Sequence, residues 1–156
     1  MRPRAKAPAQ RRHQVFLSHS AKDSWIARQM TRLMEERGVA VFLDEKDIEG
    51  GEGIAERIRT ALEECDEFVV LLSQYSVNRQ WVLVETGAAW AFRKRMTAIV
   101  DKITSEELPD IMVALKYVSL NEFDRFLEEL SRRGKKARGA KTAAPGSLKK
   151  RGRLPS

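Results

Sequence analysis

Phe68-Val69-Val70-Leu71-Leu72 is a run of five apolar residues, opened by Asp66-Glu67 and closed by Ser73. It has no polar alternation. That pattern suits a strand covered on both faces, as in the middle of a parallel sheet. The same alternation of strand and helix patterns extends outward in both directions. Upstream, Ile54, Ile58, Ala61, Leu62 and Cys65 recur at helical spacing, and Val39-Ala40-Val41-Phe42-Leu43 reads as a strand. Ahead of these, Ile26, Met30, Leu33 and Met34 predict a helix that Gly38 stops. Gln14-Val15-Phe16-Leu17 predicts the first strand, ending at Ser18. Ser20 and Asp23, three apart before the first helix, have the spacing of a capping box.

Downstream of the central run comes an apolar helix, then Thr97-Ala98-Ile99-Val100 as a fourth strand. An irregular connection from Asp101 to Met112 contains Pro109. Lys116-Tyr117-Val118-Ser119-Leu120 reads as an edge strand, and Phe123, Phe126, Leu127 and Leu130 as a final helix with Asn121 as its N-cap. Five strands alternating with helices predict an open α/β fold. Right-handed crossovers leave few topologies. The simplest is a flavodoxin-like parallel sheet of order 2-1-3-4-5 with helices on both faces. Ligands of such sheets bind beyond the carboxyl ends of the strands, near the switch point. Here that edge gathers Ser18-His19-Ser20, the loop from Asp44 to Gly53, Ser73, and the start of the apolar helix.

Charge divides the 156-residue chain into three parts. Residues 1–13 hold five basic and no acidic side chains, and residues 132–156 hold ten basic and no acidic ones. The body, 14–131, is net −8, so the overall +7 belongs to the ends. Both ends lack an apolar pattern and carry all the prolines except Pro109, which predicts two disordered basic tails around one domain. Such tails read either as solvated extensions or as tethers to nucleic acid or another anionic surface. No aromatic residue interleaves their charges as a base-stacking platform would. No stretch is apolar enough to span a bilayer, and no signal-peptide core follows the N-terminus. A lone cysteine, Cys65, sits on an apolar helical stripe and reads as a small buried hydrophobe. Together these predict a reducing, cytoplasmic setting.

The run Trp81-Val82-Leu83-Val84-Glu85-Thr86-Gly87-Ala88-Ala89-Trp90-Ala91-Phe92 places one carboxylate in an almost wholly apolar helix. An ionised group taken out of water is expensive, so such a side chain is paired, left at a cleft, or used. Trp81 and Glu85, four apart, share a helix face. Each candidate has a plainer reading beside the functional one. Glu85 is either a functional carboxylate or one reaching solvent at a helix edge, and Trp81 either a stacking surface or core. Ser20 is a cap or a ligand contact, His19 an incidental loop residue or a titrating group at the rim. Asp44 is a turn residue or a polar group facing ligand. Ser18 and Ser73 complete the set of candidate contacts.

Several chemistries are missing. The chain has no phosphate-binding Walker motif and no Gly-x-Gly-x-x-Gly. Glu49-Gly50-Gly51-Glu52-Gly53 is glycine-rich but acidic, and reads as a mobile loop. No Cys/His cluster has zinc spacing, and His13 and His19 flank a strand from opposite ends, so no metal is expected. Nothing resembles a nucleophile elbow. A phospho-accepting receiver domain would want acids where this chain has Ser18-His19-Ser20 and Ser73.

Phe16-Leu17-Ser18-His19-Ser20, Val41-Phe42-Leu43-Asp44 with its acidic loop, Val70-Leu71-Leu72-Ser73, and Trp81-x-x-x-Glu85 occur in this order along residues 14–130. In this order the four motifs resemble a bacterial TIR (Toll/interleukin-1 receptor) domain. The resemblance implies the same five-stranded sheet. It also implies an NAD-cleaving activity that breaks the nicotinamide–ribose bond, by glycohydrolysis or by cyclisation to a cyclic ADP-ribose-type signal in antiphage defence. NAD would then be a substrate and not a cofactor. On this resemblance Glu85 is the catalytic glutamate, Trp81 the family's tryptophan, and Asp44–Gly53 the loop that gates the site and mediates self-association. An upstream sensor or a downstream signal-binding effector would be a separate protein. The alternative is a non-catalytic TIR adaptor or an effector that binds host TIR domains. A nucleoside deoxyribosyltransferase, which also uses a glutamate on a similar sheet, is a more distant reading.

Overall fold

The computed structural model describes residues 10–44, 53–113 and 115–142. Five strands run β1 Gln14–Ser18, β2 Ala40–Leu43, β3 Glu67–Leu72, β4 Arg95–Val100 and β5 Lys116–Ser119. Four helices run α1 Ser24–Glu36, α2 Gly53–Glu64, α3 Gln80–Ala91 and α4 Phe123–Thr142. The strands pair in parallel in the order β2-β1-β3-β4-β5, the expected flavodoxin-like topology. Central β3 is buried along its whole length, as its unbroken apolar run requires.

Alternation along the strands divides the core in two. Val15, Leu17, Val69, Leu71 and Ile99 face one way and pack with Ala27, Met30 and Met34 of α1 and with Phe126, Leu127 and Leu130 of α4. Phe16, Phe68, Val70, Leu72 and Ala98 face the other way, against Ile58 and Leu62 of α2, Val82 and Ala89 of α3, and Met112. Phe16 stacks between Phe42 and Phe68, with ring centroids 5.1 Å and 5.8 Å away. A fully buried ring of this size contributes about 1.5–3 kcal/mol relative to an exposed one. Gly38, at φ +80°, ends α1 in the left-handed conformation its sequence position predicts.

Two local readings are corrected. Ser20 caps only the single 3-10 turn Ala21–Asp23, accepting from the Lys22 amide at 3.4 Å, and Asp23 makes no side-chain cap at the start of α1. The turn before α4 is capped by Ser119, which accepts from the Asn121 amide, so Asn121 lies inside that turn.

The basic C-terminal segment also differs from expectation where it is described. α4 continues through 132–142 without a break. Arg133 explains this: its guanidinium makes a two-pronged bond to Glu67 at the start of β3, 2.5 Å from Nε and 3.0 Å from Nη2. His13 Nε2 lies 3.1 Å from the same carboxylate. The N-terminal segment closes over this end of the sheet, with Arg11 on Asp66 and on the Glu64 carbonyl, and the Gln10 amide on the Arg138 carbonyl. A Cβ on Gly134 would stand 3.3 Å from the His13 Cβ, so a side chain there would crowd this approach. Residues 1–9 and 143–156, the remainder of the expected tails, lie outside the described residues. No described helix is long and apolar enough to cross a membrane.

Candidate functional site

The carboxyl edge of the sheet is built from the ends of β1, β2 and β3 and from α3. β1 ends at Ser18, and the chain leaves the sheet through His19 and Ser20. All three are buried, with 4% or less of their surface exposed. Leu43, at the end of β2, pairs in register with Leu17, so Asp44 follows β2 beside Ser18, and it too is buried. Ser73 directly follows β3 and is buried.

α3 places the acid. Val82, Thr86 and Ala89 turn inward, and Glu85 shares that inward face with only 1% of its surface exposed. The reading of Glu85 as a carboxylate reaching solvent is therefore set aside. Its Oε2 accepts a hydrogen bond from the Ser18 hydroxyl, which ties α3 to the end of β1. Trp81 lies one turn earlier and is 38% exposed, so it belongs to the rim and not to the core. Helix α3 is apolar on its outer side as well, with Val84 and Trp90 exposed.

A second hydroxyl–acid pair lies nearby in the fold. Ser73 donates its hydroxyl to Asp23 Oδ2 at 2.5 Å and accepts from the Tyr75 amide at 3.0 Å. Its own amide donates to Ser76 Oγ at 2.8 Å, and Ser76 Oγ donates to the Leu71 carbonyl at 2.7 Å. Outside this turn, the Lys22 ammonium lies 5.1 Å from the centroid of the half-exposed Tyr75 ring. A serine hydroxyl has one hydrogen to give. Ser18 and Ser73 have each committed theirs to a carboxylate, so towards a ligand both can only accept.

The structure thus joins Ser18 directly to Glu85 and joins Ser73 to Asp23. His19, Ser20 and Asp44 are brought to the same edge, and Trp81 stands at the rim. Ser73 was expected at this edge, but its bond to Asp23 was missed in the sequence, where Asp23 was absorbed into a supposed capping box. The only signal available was an aspartate at a helix start, and that points to a cap first. The expected loop at 44–53 falls on residues outside those described, apart from Asp44 and Gly53. Among the described residues, no group of three or more His, Cys, Asp or Glu side chains gathers to hold a metal. Cys65 is buried as expected. Its Sγ donates to the Leu62 carbonyl at 3.1 Å, and burial pushes the thiol up to about 11.

This arrangement can hold a donor-rich ligand and steady positive charge. A buried carboxylate at a strand end meets both needs, since charge interactions strengthen where water is excluded.

Comparison with known proteins gives the family. The family pattern described as "TIR domain" matches residues 15–132. The "Probable 2' cyclic ADP-D-ribose synthase BdTIR" of Brachypodium distachyon is 27% identical over 106 residues, which is 67% of this chain and 47% of that protein. The chain therefore spans about half the length of that relative. Among solved structures, the TIR domain of the Toll-related receptor TRR-2 from Hydra magnipapillata superposes with a TM-score of 0.62 at 18% identity, over 76% of this chain and 97% of that one. The CMP N-glycosidase BcmB of Clostridium botulinum superposes with a TM-score of 0.55 at 20% identity, over 75% of this chain and 97% of that one. The two superpositions speak for the fold alone. The pattern match spans nearly the whole body, from β1 into α4, and on that ground this chain belongs to the TIR-domain family.

Proposed function

We propose that this chain cleaves the nicotinamide–ribose bond of NAD, with Glu85 as the catalytic carboxylate. The observation that carries the reading is the burial of Glu85 at the carboxyl edge of the sheet, hydrogen-bonded by Ser18. Family membership supports it, as does the likeness to the Brachypodium relative, named a probable 2' cyclic ADP-D-ribose synthase.

The chemistry needs little machinery. Nicotinamide leaves as a neutral base, so no general acid must protonate it. One carboxylate can then serve where most glycosidases use two. Glu85 accepts hydrogen bonds from ribose hydroxyls and stabilises the oxocarbenium-like charge as the bond breaks. Ser18 and Ser73, restricted to accepting, suit a sugar diol or a carboxamide N–H. His19, Ser20 and Asp44 line the same edge. Trp81 offers an aromatic face to the nicotinamide and screens the reacting carbon from water. Where water is kept out, the adenine of the same NAD competes as nucleophile and the product is cyclic; where water enters, the product is linear.

In this reading the protein is an NAD nucleosidase with cyclase potential. It acts in bacterial antiphage defence after self-association through the 44–53 region, with a separate sensor or signal-binding effector. The test is to incubate concentrated purified protein with NAD and resolve nicotinamide, linear and cyclic products by chromatography. Glu85→Gln keeps the size of the side chain and removes the charge. It should abolish nicotinamide release while the thermal unfolding midpoint stays within a few degrees. A fully active Glu85→Gln, or a wild type that leaves NAD intact even when crowded, would sink the proposal.

A further inference from the structure

The geometry points to Asp23 as a positioning residue for the site: it fixes Ser73, and through Ser73 the turn that launches α3. This rests on the reading of the carboxyl edge as an NAD site. Asp23 precedes α1 at the N-cap position, where an aspartate ordinarily accepts from an amide in the first turn. Here it makes no such bond. Its side chain is buried, with 4% of the residue exposed, and Oδ2 is taken by the Ser73 hydroxyl at 2.5 Å. A helix cap has been given up for a contact 50 residues away. Breaches of a local rule of this kind concentrate at functional sites.

Consequences follow along the chain. Ser73 is the hub of a closed turn. Its oxygen accepts from the Tyr75 amide, its amide bonds Ser76 Oγ, and its carbonyl accepts from the Ser76 and Val77 amides at 3.1 Å and 3.2 Å. Ser76 Oγ anchors the turn back onto β3 through the Leu71 carbonyl. Val77 is buried against the core, and α3 begins three residues later at Gln80. Asp23 therefore sets the rotamer of the residue on which this turn is organised. The turn in turn sets where α3 starts, and with it Trp81 and Glu85. Lys22, stacked on Tyr75, holds the same two segments together from outside. The two acids brace the edge crosswise. Glu85 of α3 binds the end of β1, and Asp23 ahead of α1 binds the end of β3.

The test is a double-mutant cycle on the full chain with Asp23→Ala, Ser73→Ala and the pair. It is read three ways: kcat/KM for NAD cleavage, hydrogen exchange at the Tyr75, Ser76 and Val77 amides, and thermal unfolding. Each single change should lower kcat/KM about tenfold, the scale of a lost hydrogen bond to a charged group. The pair should be no worse than the worse single, because the two act as one unit. Exchange in the turn should quicken in both singles. Independent, multiplicative losses with unaltered exchange would overturn the proposal, since a mere cap or packing role for Asp23 predicts that result. If Asp23→Ala does not fold, Asp23→Asn replaces it in the cycle. Ser73→Thr, which restores the hydroxyl, should recover what Ser73→Ala loses, and failure to recover counts against the proposal. A wild type inactive on NAD would refute the functional reading instead. The exchange arm then decides alone whether Asp23 holds the turn.

Discussion

Ser18 and Glu85 lie 67 residues apart, yet the hydroxyl of the one is donated to the carboxylate of the other at the carboxyl edge of the sheet. The bond joins the last residue of β1 to the inward face of α3, and both residues are fully buried. Hydrogen bonds to buried charged groups contribute about 1.5–3 kcal/mol, and an acceptor left without its donor loses that amount or more. Ser18→Ala should therefore lower unfolding stability by about 1.5–3 kcal/mol in urea titration. The same change should slow NAD cleavage, because it removes one of the contacts that orient the carboxylate towards the ribose. The loss should be smaller than that of Glu85→Gln, which removes the charge itself. A Ser18→Ala protein with both stability and turnover unchanged would show that the bond is incidental.

How much of this was legible in the sequence follows from the range of the interactions involved. The strands were readable because Phe68–Leu72 and Gln14–Leu17 are apolar runs that only a buried strand accommodates, and their alternation with helices left one simple sheet order. Glu85 stood out because a charge among Val, Leu and Ala is anomalous without any partner in view. The pairing of Asp23 with Ser73 was not readable, because it breaks a local rule for a distant contact. Nor was the extension of α4 to Thr142. Its second half has a tail's composition, and what holds it is Glu67 on β3 and the close approach of His13 to Gly134. For Trp81 the sequence left a stacking surface and a core position equally open, and only the packing of α3 shows that it lies at the rim.

Cys65 gives a chemical test of the core. Its thiol is buried and held well above its ordinary range, first by loss of solvation, against the lowering pull of Lys94. The thiolate is the reactive form. At pH 8 an alkylating reagent should label the native protein at least tenfold more slowly than the urea-unfolded chain. Mass spectrometry of the labelled protein over time reads the ratio. Equal rates would mean that α2 opens readily from the sheet.

The opposite edge of the sheet carries a stability switch. Burial raises the Glu67 carboxyl, but the bonds from His13 and Arg133 outweigh it and hold the group below its ordinary value. A carboxyl depressed in the folded state adds stability above its unfolded pKa, and that stability is lost as pH falls through the folded value. Arg133→Met should cost about 3–5 kcal/mol near neutral pH, since it leaves a buried carboxylate short of its main cation. The deficit should narrow as pH falls below the ordinary carboxylate range, because the variant's Glu67 takes up its proton first and the wild type then gives up its advantage as its own depressed carboxyl follows. Urea unfolding of the two proteins at pH 7 and pH 3.5 measures it. A deficit constant across that range would mean that Arg133 acts through packing and not through charge.

Trp81 separates chemistry from folding more sharply than any buried residue of the site can. With 38% of its surface exposed, it contributes less to the core than an enclosed indole, and Trp81→Ala should destabilise the fold by less than about 2 kcal/mol. Its position one turn before Glu85 gives it a large part in the reaction if nicotinamide stacks there. Base-on-aromatic stacking is worth about 1–3 kcal/mol, so Trp81→Ala should raise KM for NAD by about 5–150-fold. Trp81→Phe keeps a ring and should recover most of that loss. Product partition carries the second half of the argument. If the indole also keeps water from the ribose carbon, Trp81→Ala should shift any cyclic product towards the linear one, because water then competes with the adenine. Steady-state kinetics with chromatographic separation of products reads both effects in one experiment. A Trp81→Ala enzyme with unaltered KM and product ratio would place the nicotinamide elsewhere.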